Sequence, residues 1–197
     1  MGQGIVPARG RSAVLACAFI LSGATGLAYE VLWSRYLGAI LGNSSYAHAV
    51  VLATFLGGLA LGNALLGRLA DRVRDPLRLY GWLELGIGAL AALSPPLLTA
   101  LAGAYVGLAR GLDLPPAGLK ALEAGVVVLA LLPATLLMGG TLPALGAYLT
   151  DSLARLQRAV SWLYFLNSAG AAAGALVTGF ALIPALGLDR ATTLFAA

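Results

Sequence analysis

The chain has 197 residues, of which 60% are hydrophobic and only 10% are charged, and its mean hydropathy is +0.91. A soluble domain carries about 25% charged residues, and one of this size could not keep so much apolar surface away from water. The composition therefore excludes a disordered chain, a disulfide-stabilised secreted module and a conventional soluble enzyme, and it predicts an integral membrane protein.

Five stretches contain no Asp, Glu, Lys or Arg, and each is close to or above the roughly 20 apolar residues that a helix needs to cross a bilayer. They are residues 12–29, 36–67, 85–109, 124–150 and 159–188. Hydrocarbon cannot hydrogen-bond the backbone, so membrane spans are helices or closed barrels. Barrel strands alternate polar and apolar residues, whereas these stretches are continuously apolar. The sequence therefore predicts an all-α fold, a polytopic transmembrane helix bundle.

The predicted elements form one transmembrane domain over residues 1–197. A cytoplasmic N-terminus (1–11) precedes a first helix, and the turn Gly42-Asn43-Ser44-Ser45 precedes a second. The third helix follows Pro76, which favours a helix start, and we expect a break at Ser94-Pro95-Pro96 because an unbroken helix over 77–109 would be about 50 Å long. The predicted helices cover about 12–38, 46–66, 77–94, 122–149 and 159–187, with loops at 68–76 and 150–158 and the start of a sixth helix near Leu194. Two interpretations of 97–121 stay open: the segment prolongs the third helix, or it lies along the membrane interface.

The basic residues predict the orientation, because cytoplasmic loops are enriched in Lys and Arg. With the N-terminus inside, the cytoplasmic segments hold eight of the twelve: Arg9, Arg11, Arg68, Arg72, Arg74, Arg78, Arg155 and Arg158. The other side holds Arg35, Arg110, Lys120 and Arg190. Because the basic residues form short clusters between apolar stretches, the net charge of +4 does not indicate nucleic-acid binding.

Two glutamates at membrane depth are the candidate ligand-binding residues, because ionisable groups there are costly and usually functional. Glu84 lies about two turns into the third helix, and we expect it to be buried or to face a cavity. Glu30 lies towards the end of the first helix, where an interfacial position and a buried site are both open. Polar residues that more often form interhelical hydrogen bonds are His48, Asn63 and Asn167.

The sequence shows no catalytic constellation, and we predict no cofactor and no metal site. The single cysteine, Cys17, excludes an internal disulfide and a cysteine-based metal site. Small residues spaced four apart, such as Gly58 and Gly62 or Gly170 and Gly174, predict closely packed helices.

The segment from Gly67 to Arg72 resembles the G-x-x-x-D-R loop between the second and third helices of major facilitator transporters. Asp71 would lie near helix ends, where it can interact with helix dipoles. The simpler interpretation is that Arg68 and Arg72 set the topology, and both interpretations can hold. Gly67, Asp71 and Arg72 are therefore candidates for a structural or gating loop.

Four further segments give the chain a wider resemblance. They are Ser22-Gly23-Ala24-Thr25-Gly26-Leu27-Ala28-Tyr29-Glu30-Val31-Leu32-Trp33-Ser34-Arg35, Phe55-Leu56-Gly57-Gly58-Leu59-Ala60-Leu61-Gly62, Met138-Gly139-Gly140-Thr141-Leu142-Pro143 and Leu163-Tyr164-Phe165-Leu166-Asn167-Ser168-Ala169-Gly170. Together they resemble the membrane region of bacterial membrane-integrated spermidine synthase-like proteins, in which a major-facilitator-like domain is fused to a spermidine synthase domain. The resemblance covers about residues 12–190 and implies a major-facilitator-like half with five full helices and the start of a sixth, in the bacterial inner membrane.

What this family carries after its helices is not found in these 197 residues. Such proteins have a Rossmann-like aminopropyltransferase domain, with a glycine-rich motif for decarboxylated S-adenosylmethionine and acidic residues for the polyamine. No catalytic residue can be carried over, so we expect the chain by itself to form no spermidine. Because it stops as an apolar segment begins, we expect it to be a fragment or a shortened form.

Three functional hypotheses follow. The chain is a membrane domain that anchors or feeds a cytoplasmic aminopropyltransferase domain, in the same or another chain. Alternatively, it is a transporter-like half-bundle that binds a small cation, such as a polyamine, through Glu30 or Glu84. Third, it is a structural subunit of a membrane complex, with the lipid bilayer as its other partner.

Overall fold

In the computed structural model, the described residues are 9–42, 44–149 and 153–196, and all their regular structure is helical. The elements are α1 (Arg9–Leu41), α2 (Ser45–Ala70), α3 (Pro76–Gly111), α4 (Pro116–Leu149), α5 (Leu153–Val177), a π-helical turn (Thr178–Leu182), α6 (Ile183–Leu186) and α7 (Leu188–Ala196). The predicted all-α helix bundle is thus confirmed. The first eight residues and 150–152 of the expected loop 150–158 lie outside the described residues, and α5 already begins at Leu153.

Five helices are long and apolar enough to cross a membrane. They comprise Ala13–Ala39, Ser45–Ala70, Pro76–Gly111, Pro116–Leu149 and Val160–Leu186. Within these spans only 11–33% of the residues are buried inside the protein, and large apolar side chains such as Trp82 and Phe180 point outward. An apolar exterior is what a lipid-facing bundle requires, so the chain is a multi-pass membrane protein.

Contacts between helices show that alternate helices run parallel. Ser22 of α1 contacts Glu84 of α3, and Tyr36, later in α1, contacts Thr99, later in α3. The two helices therefore run in the same direction. Gly58 and Gly67 of α2 likewise lie against Thr135 and Pro143 of α4. Ile20 and Ala24 of α1 lie against Gly170 and Gly174 of α5.

This arrangement places the starts of α1, α3 and α5 and the ends of α2 and α4 at one end of the bundle. We call it the arginine end, because Arg68 near the end of α2, Arg72 and Arg74 in the following turn, and Arg78 at the start of α3 all lie there. The opposite end is called the far end and holds the connections 42–44 and 112–115.

The break expected at Ser94-Pro95-Pro96 is wrong, because α3 continues through both prolines to Gly111. Pro95 has no N–H to donate to the carbonyl of Ala91, four residues earlier. The buried Ser94 hydroxyl takes that place and donates to the Ala91 carbonyl oxygen at 2.8 Å. One turn later the Thr99 hydroxyl donates to the Pro95 carbonyl oxygen at 2.9 Å. Side-chain donors of this kind allow a membrane helix to continue past proline.

The segment 97–121, expected either to prolong the third helix or to lie along the interface, is divided between two long helices. Residues 97–111 complete α3, and 116–121 form the first turns of α4, which starts six residues before the predicted helix at 122. Pro116 is the first residue of α4, and proline is tolerated there because the first N–H groups of a helix have no intrahelical partner. The predicted fifth helix corresponds to three consecutive elements, α5, the π-helical turn and α6. The predicted sixth helix is α7, which begins at Leu188 directly after Gly187, whose φ is +78°.

The helices approach most closely at glycines. A Cβ on Gly62 of α2 would overlap the backbone of Leu136 on α4, and one on Gly139 would overlap the Leu59 carbonyl. On the other side of the bundle, Gly170 of α5 lies directly on the backbone of Ile20 in α1. The glycines therefore define two tight helix pairs, α2–α4 and α1–α5, which the small-residue spacing predicts.

Candidate functional site

A polar cluster joins α1 to α3 and contains Glu84, a residue that the sequence singles out. Tyr80 and Glu84 are four residues apart on α3, which places them on one face of the helix. Across the interface, the Ser22 hydroxyl of α1 donates to Glu84 Oε1 at 2.7 Å. Tyr80 is the third member of the cluster, because its hydroxyl interacts electrostatically with both Glu84 and Ser22. Three side chains from two helices thus form one polar group.

The cluster lies at membrane depth and has apolar surroundings. Ser22 is nine residues into the span Ala13–Ala39, about 14 Å from its start. The Tyr80 ring packs against the buried Phe19 ring, with 6.3 Å between centroids. Leu83 and Ile87, next to Glu84 on α3, are also buried. Glu84 itself is half-buried, so part of its carboxyl group is accessible.

The partners that the described residues give Glu84 are neutral hydroxyl groups. Hydroxyl donors stabilise a carboxylate, but they do not cancel its charge. An ionised carboxylate at this depth is costly unless a positive charge accompanies it. The cluster therefore has the chemistry of a site for a cation, with Glu84 supplying the charge and Ser22 and Tyr80 fixing its orientation.

Glu30 is not part of this cluster. It lies eight residues after Ser22, about 12 Å further along α1 towards the far end. Its side chain is half-buried, whereas its neighbours Tyr29, Leu32 and Trp33 are buried. The structure thus separates the two glutamates that the sequence groups as ligand candidates.

The proposed structural or gating loop lies at the arginine end and is more helical than the motif suggests. Gly67 is within α2 and faces Pro143 of α4, Asp71 is the exposed C-terminal cap residue of α2, and Arg72 is exposed in the turn. The side chain that caps a helix here is Asp75, which accepts a hydrogen bond from the Arg78 backbone N–H at 3.0 Å. This cap has a recognisable sequence signal that the predictions above did not include, an aspartate directly before a proline at a helix start.

The other polar residues noted in the sequence have separate positions. The exposed His48 contacts the carbonyl of Ser44 through Nδ1 at 3.0 Å, a local contact in the first turn of α2. Asn63 is exposed on α2. Asn167 of α5 lies against Gly23 of α1. Neither of these two contacts links the residue to the Glu84 cluster.

Ser22 and Tyr80 were missed as site residues. The sequence does contain a signal for Tyr80, because a residue one helical turn before Glu84 lies on the same face of the helix. Ser22 had none, because only the packing of α1 on α3 brings it to a residue 62 positions away.

The segments that carry the family resemblance contribute the residues through which the helices touch. Gly58 and Gly62 of one segment meet α4, Gly139 of another meets α2, and Gly170 meets α1. Substituting any of them with a larger residue would push two backbones apart. In this fold, these glycines therefore serve helix packing.

No protein-family model, curated protein or solved structure matches this chain. Among the described residues there is no group of three or more His, Cys, Asp or Glu side chains that could hold a metal ion. The chemistry that the Glu84 cluster supports best is electrostatic binding.

Proposed function

We propose that the bundle is a membrane domain that binds a small organic cation, such as a polyamine, at Glu84. The observation that carries this proposal is the half-buried Glu84, whose carboxylate accepts a hydrogen bond from Ser22 and lies beside Tyr80 on the same face of α3. An ammonium group would supply the positive charge that the hydroxyls cannot, through a charge-assisted hydrogen bond in a low-dielectric setting.

The resemblance to spermidine synthase-like membrane proteins supports a second proposal, that the bundle anchors or feeds an aminopropyltransferase domain in the cytoplasm of a bacterium. Glu84 is eight residues from the start of α3, about 12 Å from the arginine end. The positive-inside rule favours the arginine end as the cytoplasmic one. A cation bound at Glu84 would then be held on the side where such a domain would receive it.

Binding of radiolabelled spermidine to the purified chain in lipid nanodiscs tests the first proposal. We expect saturable binding by the parent chain and a loss of affinity of about 10- to 100-fold in Glu84→Gln, since a hydrogen bond to a charged group contributes about 1.5–3 kcal/mol. Ser22→Ala should weaken binding less, because the charge remains. Glu30→Gln is the matched control and should bind like the parent, since Glu30 lies outside the cluster.

Two results would contradict the proposal. If the folded parent chain binds no polyamine, the bundle is better described as a structural subunit of a membrane complex. If Glu84→Gln binds as tightly as the parent while Glu30→Gln does not, the cation site is on α1 instead.

A further inference from the structure

A third glutamate lies buried near the far end of the bundle. Glu123 is in the third turn of α4, seven residues after Pro116 and therefore about 10 Å along the helix. The residue is only 7% exposed. Its Oε1 atom is buried without a hydrogen-bond partner among the described residues. Buried side-chain oxygens are rarely left in this state, so each instance needs an explanation.

The surroundings of Glu123 are apolar. Its neighbours Val126 and Val127 are buried, and Val127 belongs to a core cluster that also contains Trp33 of α1. Trp33 lies eight residues before the end of α1, about 12 Å from the far end, which is close to the level of Glu123. Its Nε1 atom is likewise buried without a hydrogen-bond partner in the described part of the chain. This level of the core therefore holds polar atoms that no described group satisfies.

The closest basic residue along α4 is directed elsewhere. Lys120 precedes Glu123 by three residues and is exposed, and its ammonium nitrogen lies over the Tyr46 ring, 5.4 Å from the centroid. Its positive charge still acts on Glu123, but water screens an exposed charge strongly.

From sequence, α5 and the π-helical turn carry no ionisable residue between Asn167 and Leu186. The other ionisable side chains towards this end lie on four helices: Tyr29, Glu30, Arg35 and Tyr36 on α1, Tyr46 and His48 on α2, Tyr105 and Arg110 on α3, and Asp189 and Arg190 on α7.

We propose that Glu123 is a proton-binding site that carries its proton at a pH at which exposed carboxyl groups are ionised. A buried carboxylate without a close counter-charge is unfavourable, and a proton removes that charge without requiring further ligands. A metal ion is a poorer occupant, because hard cations need several oxygen ligands. The described residues around Glu123 provide no such set. This inference is independent of cation binding at Glu84.

Isotope labelling can observe this proton directly, because the chain has only three glutamates, Glu30, Glu84 and Glu123. In the double variant Glu30→Gln/Glu84→Gln, a ¹³C label on the glutamate carboxyl carbon reports Glu123 alone. We expect its NMR signal in detergent micelles to titrate with a proton affinity at least tenfold above that of an exposed glutamate, whose midpoint is about pH 4.3. His48→Gln should leave this titration unchanged, whereas Lys120→Gln should increase the proton affinity further because it removes a positive charge.

Infrared spectroscopy of the otherwise unmodified chain provides a second test that does not depend on the double variant. The carbonyl stretch of a protonated acid should be present at a pH at which exposed carboxyl groups are ionised, shift with ¹³C-glutamate labelling and be absent in Glu123→Gln. It should persist in Glu84→Gln and in Glu30→Gln. A titration like that of an exposed glutamate, or an acid band that survives in Glu123→Gln, would overturn the proposal and would leave the Glu84 proposal untouched.

Discussion

Two aspartates at the arginine end have different structural roles although they are only four residues apart. Asp75 is the N-cap residue of α3, with φ −132° and ψ 85°. Its carboxylate accepts a hydrogen bond from the Arg78 backbone N–H. Asp71 caps the end of α2 with its backbone N–H, which donates to the Gly67 carbonyl oxygen at 3.1 Å. A carboxylate next to the free N–H groups at a helix start is favourable, whereas one at a helix end faces carbonyl groups.

Asp75→Ala should therefore destabilise the protein by about 1 kcal/mol, the typical contribution of an N-cap side chain. Asp71→Ala is the matched control and should be neutral or slightly stabilising, because it removes a negative charge from a helix C-terminus. Reversible unfolding in mixed micelles, followed by circular dichroism, measures both. Equal losses in the two variants would show that the cap does not contribute to stability.

At the scale of the element, adjacent glycines of α2 differ in what they contact. A Cβ on Gly58 would overlap the Thr135 side chain of α4, whereas a Cβ on Gly57 would meet nothing within 4 Å. The Thr135 hydroxyl is itself engaged, since it donates to the Leu131 carbonyl oxygen at 3.0 Å. Only one of the two glycines is therefore required for helix packing, although they are identical and consecutive in the sequence.

We expect Gly58→Ala to lower the free energy of unfolding by about 1–3 kcal/mol, the usual cost of inserting atoms into a packed interface. Gly57→Ala should be neutral or stabilising by up to about 1 kcal/mol, because alanine is the better helix former. Both variants can be compared by unfolding in mixed micelles of increasing denaturing-detergent content. The interface described between α2 and α4 would be contradicted if the two substitutions had the same effect.

The sequence predicted the five membrane spans, but it did not predict which residues form the candidate site. Long charge-free stretches predicted the spans because a membrane helix satisfies its own backbone hydrogen bonds, which is a local property. The same reasoning failed at Pro95, where a single hydroxyl on Ser94 compensates for the missing N–H. It also could not pair Ser22 with Glu84, since that contact depends on how α1 packs on α3. Glu123 was passed over because its burial comes from other helices.

At the scale of the whole molecule, the parallel arrangement of alternate helices gives the bundle two chemically different ends. The contacts of α1 with α3 and α5 place all three helix starts at the arginine end. Asymmetry of basic residues sets orientation during membrane insertion. We propose on this basis that the arginine end is cytoplasmic.

Cysteine labelling from each side of the membrane checks this orientation. Cys17 is exposed and must first be replaced by serine. In that background, Arg74→Cys should react with an impermeant reagent only from the cytoplasmic side, and Ser44→Cys only from the opposite side. Labelling of both positions from one side would contradict the alternating arrangement, and a reversed pattern would contradict the orientation alone.

The unbroken path of α3 through its two prolines has a consequence for the shape of the protein in a bilayer. Its 36 residues correspond to a rod of about 54 Å, and α4, with 34 residues, is nearly as long. A bilayer with its headgroups is about 40–45 Å thick, and a typical tilt of about 20° shortens such a rod only to about 51 Å. The exposed charged residues Arg110, Asp113 and Lys120 flank the connection 112–115, so this end of the helical hairpin lies outside the hydrocarbon, where water, other proteins and proteases can reach it.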